Sequence, residues 1–254
     1  MTIVEHHDRG YGHVPGISPY SAGVRALAGH RIRRVALRQP ISWRRGFDLI
    51  DRALAAAGRP VTALCSIELR CPAPHSFGGF GSFNDEYRDA LDDRAILLDD
   101  GENPISRTNV APIADSRVDT SIAAFGYTVP HATAARPSFI VSGAGDLADQ
   151  SDLRPEAIVG GSASWDETGP ARATAVLDEL EARLAAMGLT WDDTDAVAVY
   201  SVEAVDGVCR TVVLDRLGPA GGRGLHRFFA RPPIEGLRFE MDARGGVEEL
   251  MSET

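Results

Sequence analysis

Residues 47–69 read FDLIDRALAAAGRPVTALCSIEL, and residues 176–202 read VLDELEARLAAMGLTWDDTDAVAVYSV. Each stretch begins with a helical pattern, stops at a glycine (Gly58 or Gly188) and continues into an apolar, strand-like run. In the first stretch Phe47, Ile50 and Leu54 recur at spacings of three and four, which places one apolar stripe of a helix against a sheet. The two glycines lie 130 residues apart (188 − 58) in a chain of 254 residues. This spacing predicts two fused copies of one unit.

The sequence around these stretches supplies the rest of each unit. Strands are predicted at residues 31–38, 121–129, 138–141 and 236–243, and helices at residues 84–91 and from about Pro170 to Met187. Loops are predicted at residues 71–83 and 218–224, a turn at 142–147, and an irregular arm at residues 1–19. Residues 130–137 are the best candidate linker, which divides the chain into units 1–130 and 131–254. The predicted class is α+β, with helices on one face of a mixed sheet in each unit.

Composition excludes several functions. The 36 acidic residues outnumber the 26 basic ones and give a net charge of −10, which argues against a nucleic-acid partner or an anionic membrane. Every basic side chain is arginine, so the chain has no Schiff-base lysine, no pyridoxal-phosphate anchor and no Walker lysine. Three cysteines without zinc-site spacing predict reduced thiols in a cytoplasmic protein. The sequence shows neither a signal-peptide pattern nor an apolar run of about 20 residues.

Three short segments of the first half form a recognisable series. They are PYSAGV at residues 19–24, FNDEY at residues 83–87 and NPISRT at residues 103–108. In order and spacing they resemble motifs of the RidA/YjgF (endoribonuclease L-PSP-like) family of imine and enamine deaminases, although two residues replace the usual single residue between Pro104 and Arg107.

The second half resembles the same family at different places. FIVSGA at residues 139–144 is similar to a family turn that contains Ser-Gly, and FEMDA at residues 239–243 is similar to its closing, glutamate-bearing strand. The first half has neither feature, and the second half lacks the motifs that contain Tyr20, Asn84 and Arg107. The divided motifs therefore predict a composite site with contributions from both halves.

The resemblance implies a fold, an assembly and roles for residues. Family members are small α+β subunits that form trimers with the site between neighbours, so a homo-oligomer, favoured as a trimer, is expected. Arg107 is expected to bind a substrate carboxylate, Glu240 to act as general acid and base, and Tyr20 and Asn84 to line the pocket. Ser142 and Gly143 would offer backbone groups. The expected partner is a small carboxylate substrate, with no metal or organic cofactor.

Each residue also has a plainer interpretation. Arg107 could be an ordinary ion-paired arginine, Glu240 the solvent-facing member of an alternating strand, Tyr20 a packed aromatic, and Asn84 a helix N-cap. His226 and Arg227 are weaker candidates to replace an arginine that the second half lacks.

Three functions remain open from the sequence. The leading one is hydrolysis of a 2-amino acid imine or enamine, such as 2-aminoacrylate or 2-aminomuconate, to the keto acid and ammonia. The alternatives are a chorismatase-like hydrolase or lyase acting on a cyclic carboxylate, and a non-catalytic protein that binds small molecules.

Overall fold

The computed structural model describes residues 2–113, 118–132 and 136–252. Within these ranges the strands are β1 (Val4–His6), β2 (Tyr11–Val14), β3 (Gly23–Ala26), β4 (His30–Ser42), β5 (Leu64–Arg70), β6 (Ser106–Pro112), β7 (Ser121–Pro130), β8 (Phe139–Gly145), β9 (Ala196–Tyr200), β10 (His226–Phe228), β11 (Ala230–Arg231), β12 (Glu240–Gly245) and β13 (Glu248–Ser252). The longer helices are α1 (Trp43–Ala56), α2 (Phe77–Asp92) and α3 (Trp165–Ala186). A short helical stretch follows at α4 (Asp206–Val208), a π-helical turn (Cys209–Val213) and α5 (Leu214–Leu217).

The strands form two mixed sheets. The first sheet has the order β11-β6-β5-β7-β4-β13, with β5–β6 and β4–β13 parallel. The second has the order β1-β2-β3-β8-β12-β9-β10, with β9–β10 parallel. The predicted α+β class with mixed sheets is therefore confirmed.

Each sheet buries one face under its own helices. Phe47, Ile50 and Leu54 of α1 are buried against the first sheet, as their spacing predicts. Burial of one such side chain contributes about 1.5–3 kcal/mol. Helix α3 packs on the second sheet through Val176 and Leu180 in the same way. The predicted strands that follow these helices are also confirmed, as β5 and β9.

The opposite faces of the two sheets meet each other. A small apolar cluster joins them and contains Tyr11, Val24, Ile32 and Cys65. Ser142 of β8 completes the contact, because its Oγ donates to the Ser21 carbonyl at 2.5 Å and lies 2.9 Å from Ser106 Oγ in the first sheet. Side chains at the rim of this junction can therefore come from both sheets.

The strands do not follow a division of the chain at residue 130. The second sheet takes β1, β2 and β3 from the first half of the sequence, and the first sheet takes β11 and β13 from the second half. The division into two units stays a prediction. Residues 133–135 of the predicted linker lie outside the described residues.

Some local predictions are wrong for identifiable reasons. The supposed arm contains the paired strands β1 and β2, and β3 continues the ladder onto β8. The supposed loop at residues 71–83 contains the start of α2, where Ser76 Oγ accepts from Gly79 N at 3.1 Å. Residues 142–145 extend strand β8 where a turn was predicted, and the closing strand begins at Glu240, four residues later than predicted.

The start of α3 also differs from the prediction. The helix begins at Trp165, and Ser164 caps it by donating from its backbone N to Glu167 at 3.1 Å. Pro170 lies inside the helix and not in its first turn. The cap formed by Ser164 and Glu167 is thus a stronger start signal here than the proline.

Candidate active site

Arg107 is held in place from three sides. Strand β6 positions it, and its backbone N donates to Ser142 Oγ at 3.1 Å. Its Nη2 donates to Asn84 Oδ1 of α2 at 2.8 Å. The guanidinium carbon lies over three aromatic rings, those of Tyr20 at 4.8 Å, Tyr87 at 5.0 Å and Phe80 at 5.6 Å. The side chain is therefore fixed as a planar, charged fork.

One terminal nitrogen of this fork is free to bind a ligand. Arg107 Nη1 is buried and has no hydrogen-bond partner within the described residues. Burial lowers the pKa of Arg107, but a guanidinium keeps its charge in proteins. A buried cation with an unused donor is well suited to an anionic ligand group, above all a carboxylate.

Glu240 lies at the other side of the same cavity. It begins strand β12 and is 4% exposed, so it is not the solvent-facing residue of an alternating strand. Burial raises the pKa of Glu240 well above its ordinary value; nearby Asp242 raises it further, and Arg107 opposes the shift. The raised pKa favours the protonated form of this carboxyl group, which can donate a proton.

Gly143 makes room for the Glu240 side chain. A Cβ atom at Gly143, on the neighbouring strand β8, would collide with Glu240 Oε1. The backbone of β8 and the carboxyl group thus approach more closely than another residue at this position permits.

Arg107 and Glu240 line one cavity within a single chain. Tyr20 and Gly143, both expected site residues, also line it. Its volume is about 30 Å³, and the remaining wall is mostly apolar, with Leu147, Leu153 and Leu237. This is room for about one water molecule, so a larger ligand has to displace wall side chains. A neighbouring cavity of about 390 Å³ shares Tyr20 and Gln150 with it.

Ser142 and Asn84 support the site from behind the cavity wall. Ser142 Oγ binds the backbone of Arg107, and the carbonyls of Ser142 and Gly143 accept from Arg183 Nη1 at 2.9 and 3.2 Å. Ser142 and Gly143 were expected to offer backbone groups, and their carbonyls hold helix α3. Asn84 does not cap a helix, because it is buried in the middle of α2.

His226 and Arg227 are not part of this arrangement. Both lie on β10 at the edge of the second sheet and are exposed. Arg227 pairs with Asp206 at 2.8 Å. Neither residue lines the cavity that contains Arg107.

The model of one known family matches almost the whole chain. A family model described as 2-aminomuconate deaminase CnbZ matches residues 3–250. The chain belongs to the CnbZ family. This membership confirms the deaminase family that the sequence motifs indicate.

A curated relative aligns with nearly the whole of this CnbZ-family chain. It is the 2-amino-5-chloromuconate deaminase of Comamonas testosteroni, 38% identical over 243 residues, which are 95% of this chain and 96% of the relative. The two proteins therefore align over nearly their full lengths.

Solved structures show lower similarity to this member of the CnbZ family. A putative endoribonuclease from Thermotoga maritima has 20% identity and a TM-score of 0.32, over 42% of this chain and 77% of its own. The YjgF protein of E. coli has 19% identity and a TM-score of 0.30, over 42% and 79%. A chorismatase has 12% identity and a TM-score of 0.46, over 91% and 79%.

Sequence reasoning missed several groups at this CnbZ-family site. Asn109 and Gln150 line the cavity, and Tyr87 packs on the Arg107 guanidinium. The signal for Asn109 was available, because it follows Arg107 by two residues on a strand and therefore shares its face. Gln150 lies in an irregular segment whose approach to β12 no local pattern indicates.

Two features are absent from the described ranges. These ranges contain no helix with the length and apolar character needed to span a bilayer. They also contain no group of three or more His, Cys, Asp or Glu side chains arranged to hold a metal ion.

Proposed function

We propose that this chain hydrolyses the enamine or imine of a 2-amino acid of the 2-aminomuconate type to the 2-oxo acid and ammonia. The observation that carries the proposal is the presence of Arg107 and Glu240 in one cavity. The family description and the name of the curated relative both support this substrate class.

Arg107 is assigned to the C1 carboxylate of the substrate. Its Nη1 has no partner among the described residues, and the rings of Tyr20 and Tyr87 hold the plane of the fork. A carboxylate is an acceptor-only group, so it satisfies the free donor without leaving a new polar group unpaired. Tyr20 in this scheme orients the guanidinium; burial raises the pKa of its phenol, which stays neutral.

Glu240 is assigned to the proton transfers. Its carboxylic acid first protonates C3 of the enamine, and the electron pair of the C2–C3 double bond forms the new C–H bond, which leaves an iminium ion. The carboxylate then takes a proton from water while the water oxygen adds to C2 and gives the 2-hydroxy-2-amino intermediate. A protonated Glu240 next gives its proton to the amino nitrogen. As the C–N bond breaks and ammonia leaves, the hydroxyl proton returns to Glu240 and the carbonyl forms.

The apolar wall suits the carbon chain of such a substrate. Leu147, Leu153 and Leu237 face the cavity that contains the two charged groups. An unsaturated chain would pack against these side chains, while Arg107 fixes one end. Exclusion of water by the same wall strengthens the ion pair between guanidinium and carboxylate.

We further propose a cytoplasmic homo-oligomer, favoured as a trimer, built from a tandem repeat of one unit. Cys65, Cys71 and Cys209 are free thiols, as expected in a reducing compartment. Phe228 and Phe229 are large exposed apolar side chains, the first on β10 at the edge of the second sheet and the other directly after it. Ile113 N donates to the Phe229 carbonyl at 3.3 Å. These exposed side chains favour self-association. Light scattering of the purified protein gives the oligomeric state directly.

The deaminase assignment is tested by ammonia release. The substrate is 2-aminomuconate generated enzymatically in the assay, and the variants are Arg107→Ala and Glu240→Ala. Loss of one catalytic or binding group of this kind costs about 10²-fold or more in kcat/KM. The matched controls Arg154→Ala and Glu156→Ala lie on the exposed surface and should keep full activity. Full activity in both Arg107→Ala and Glu240→Ala would refute the assignment.

A further inference from the structure

Asn109 is a buried amide with no hydrogen bonds in the described structure. It lies on β6, two residues after Arg107, so the two side chains share one face of the strand. The residue is 4% exposed and lines the cavity with Arg107 and Glu240. Neither Nδ2 nor Oδ1 has a partner among the described residues.

The other two asparagines of the chain behave differently. Both are buried, at 5% exposed for Asn84 and 2% for Asn103. Asn103 Nδ2 donates to the Pro19 carbonyl at 2.8 Å, and its Oδ1 accepts from Ile105 N at 2.9 Å. Asn84 Oδ1 accepts from Arg107. Since buried polar groups are ordinarily paired, the unpaired amide of Asn109 is an exception that needs a partner from outside the chain.

The chemistry of that partner follows from the amide. A primary amide offers one donor group and one acceptor side by side, so a ligand satisfies both when it presents an acceptor next to a donor. A 2-amino acid enamine has this pair at one end, a carboxylate oxygen and the N–H of the neighbouring nitrogen. The free Nη1 of Arg107, on the same face, is available to the carboxylate as well.

We propose that Asn109 is a specificity-determining residue, which binds the 2-amino nitrogen through Oδ1 and a C1 carboxylate oxygen through Nδ2. The inference rests on the proposed function, because it concerns the same cavity and the same class of ligand. It adds a consequence for the product. A 2-oxo acid has an acceptor where the substrate has N–H, so Oδ1 would face another acceptor, and the product binds more weakly than the substrate.

Two stable planar acids test this without turnover. Pyrrole-2-carboxylate has an N–H next to the carboxylate-bearing carbon, and furan-2-carboxylate has a ring oxygen of nearly the same shape there. Isothermal titration calorimetry measures Kd for each acid. The wild-type protein is expected to prefer the pyrrole by about 10-fold or more, since a lost partner for a buried polar group costs that much or more.

The variant Asn109→Leu removes both amide atoms at similar size. It should bind the two acids with nearly equal Kd, because the Oδ1 acceptor that distinguishes N–H from a ring oxygen is gone and both acids lose the same Nδ2 donor. Its Tm should be no lower than that of the wild type, and we expect an increase of about 2 °C or more. The reason is that an apolar side chain replaces an unpaired buried amide. If Asn109 were instead needed for folding, Asn109→Leu would have a lower Tm than the wild type. Asn109→Val is the second variant, because a β-branched side chain suits a strand.

The outcomes separate this inference from the deaminase assignment. If the wild type prefers the pyrrole and Asn109→Leu does not, while ammonia release is absent, the inference holds and the assigned function fails. If ammonia release depends on Arg107 and Glu240 but the two acids bind equally, the inference is wrong and the function stands. Unfolding of both Asn109 variants, or absence of binding of either acid at about 10 mM, would also overturn it.

Discussion

Asn84 of α2 accepts a hydrogen bond from Arg107 of β6, with 2.8 Å between Oδ1 and Nη2. The helix packs on the first sheet, so this bond connects two elements across the first core and directs the guanidinium into the cavity. The bond uses only Nη2, so Nη1 has no partner among the described residues, and the neutral amide leaves the positive charge uncompensated.

Replacing Asn84 tests this division of roles. Asn84→Ala should raise KM by about 10-fold, because the fork loses one of its supports. Asn84→Asp should raise KM further, to about 100-fold, since a carboxylate at this place would pair with Arg107 and compete with the substrate carboxylate. Steady-state kinetics of ammonia release measure both. Asp85→Asn, on the exposed face of the same helix, is the control and should behave as wild type. Equal KM values for Asn84→Ala and Asn84→Asp would contradict the argument.

The pH dependence of stability should report on Glu240. Its pKa in the folded protein is raised above that of an unfolded glutamate, chiefly by burial. The folded state therefore keeps a proton that the unfolded state releases, and the resulting stability is fully present below about pH 4.5 and is lost as pH rises through the raised pKa. Glu240→Gln remains neutral throughout, so the Tm of the variant minus that of the wild type should increase from pH 5 to pH 8. A difference that stays constant across this range would show that Glu240 is ionised in the folded protein.

The sequence predicts those parts of this fold whose signals are local. Helices α1 and α3 and strands β5 and β9 are recognisable because apolar periodicity and the glycines at positions 58 and 188 lie within each segment. Strand β2 was missed although its partners β1 and β3 are near in sequence, because residues 1–19 have a loop-like content of His, Gly and Pro. Strand β3 also pairs with β8, more than 100 residues away. The start of α2 was missed because FGGFGSF has a loop-like composition, while burial of Phe80 and Phe83 favours the helix.

The site also has parts that the sequence predicts and parts that it does not. Arg107 and Glu240 could be selected from motifs, but their meeting depends on the packing of two sheets against each other. Asn84 was expected to line the pocket, and its hydrogen bond to Arg107 depends on how α2 packs on the first sheet. The missing partners of Asn109 follow from three-dimensional contacts and have no signal in the sequence.

Close packing at Gly143 gives a further test. Gly143→Ala puts a methyl group where Glu240 Oε1 lies, so either the carboxyl group or strand β8 has to move. We expect a fall in kcat/KM of about 10²-fold, the effect of misplacing a catalytic group, and a lower Tm. Gly81→Ala in α2 is the control, because no atom lies within 4 Å of its added Cβ and alanine favours a helix. Its Tm should be unchanged or higher. A Gly143→Ala protein with wild-type kcat/KM would place Glu240 outside the reaction.

Asp146 and Arg172 form a buried ion pair that holds the chain segment leading to Glu240. Asp146 Oδ2 lies 2.5 Å from Arg172 Nη1, and both side chains are fully buried. Asp146 Oδ1 also accepts from the backbone N of Arg238 at 3.1 Å, two residues before Glu240. The pair therefore joins helix α3 to the segment that leads into β12.

Asp146→Asn leaves the Arg172 charge buried without its counter-ion, which should cost about 3–5 kcal/mol of unfolding free energy. In a chain of this size that corresponds to a fall in Tm of about 6–20 °C. The double variant Asp146→Leu with Arg172→Met removes both charges and should recover most of the lost Tm, because an apolar pair of similar volume replaces the ions. It should not recover kcat/KM, since the backbone of Arg238 loses its acceptor and Glu240 is less firmly placed.

The exposed pair of Asp152 and Arg154 is the control, and Asp152→Asn should leave both Tm and activity unchanged. Recovery of activity together with Tm in the double variant would show that Asp146 acts only through its charge and not by positioning Glu240.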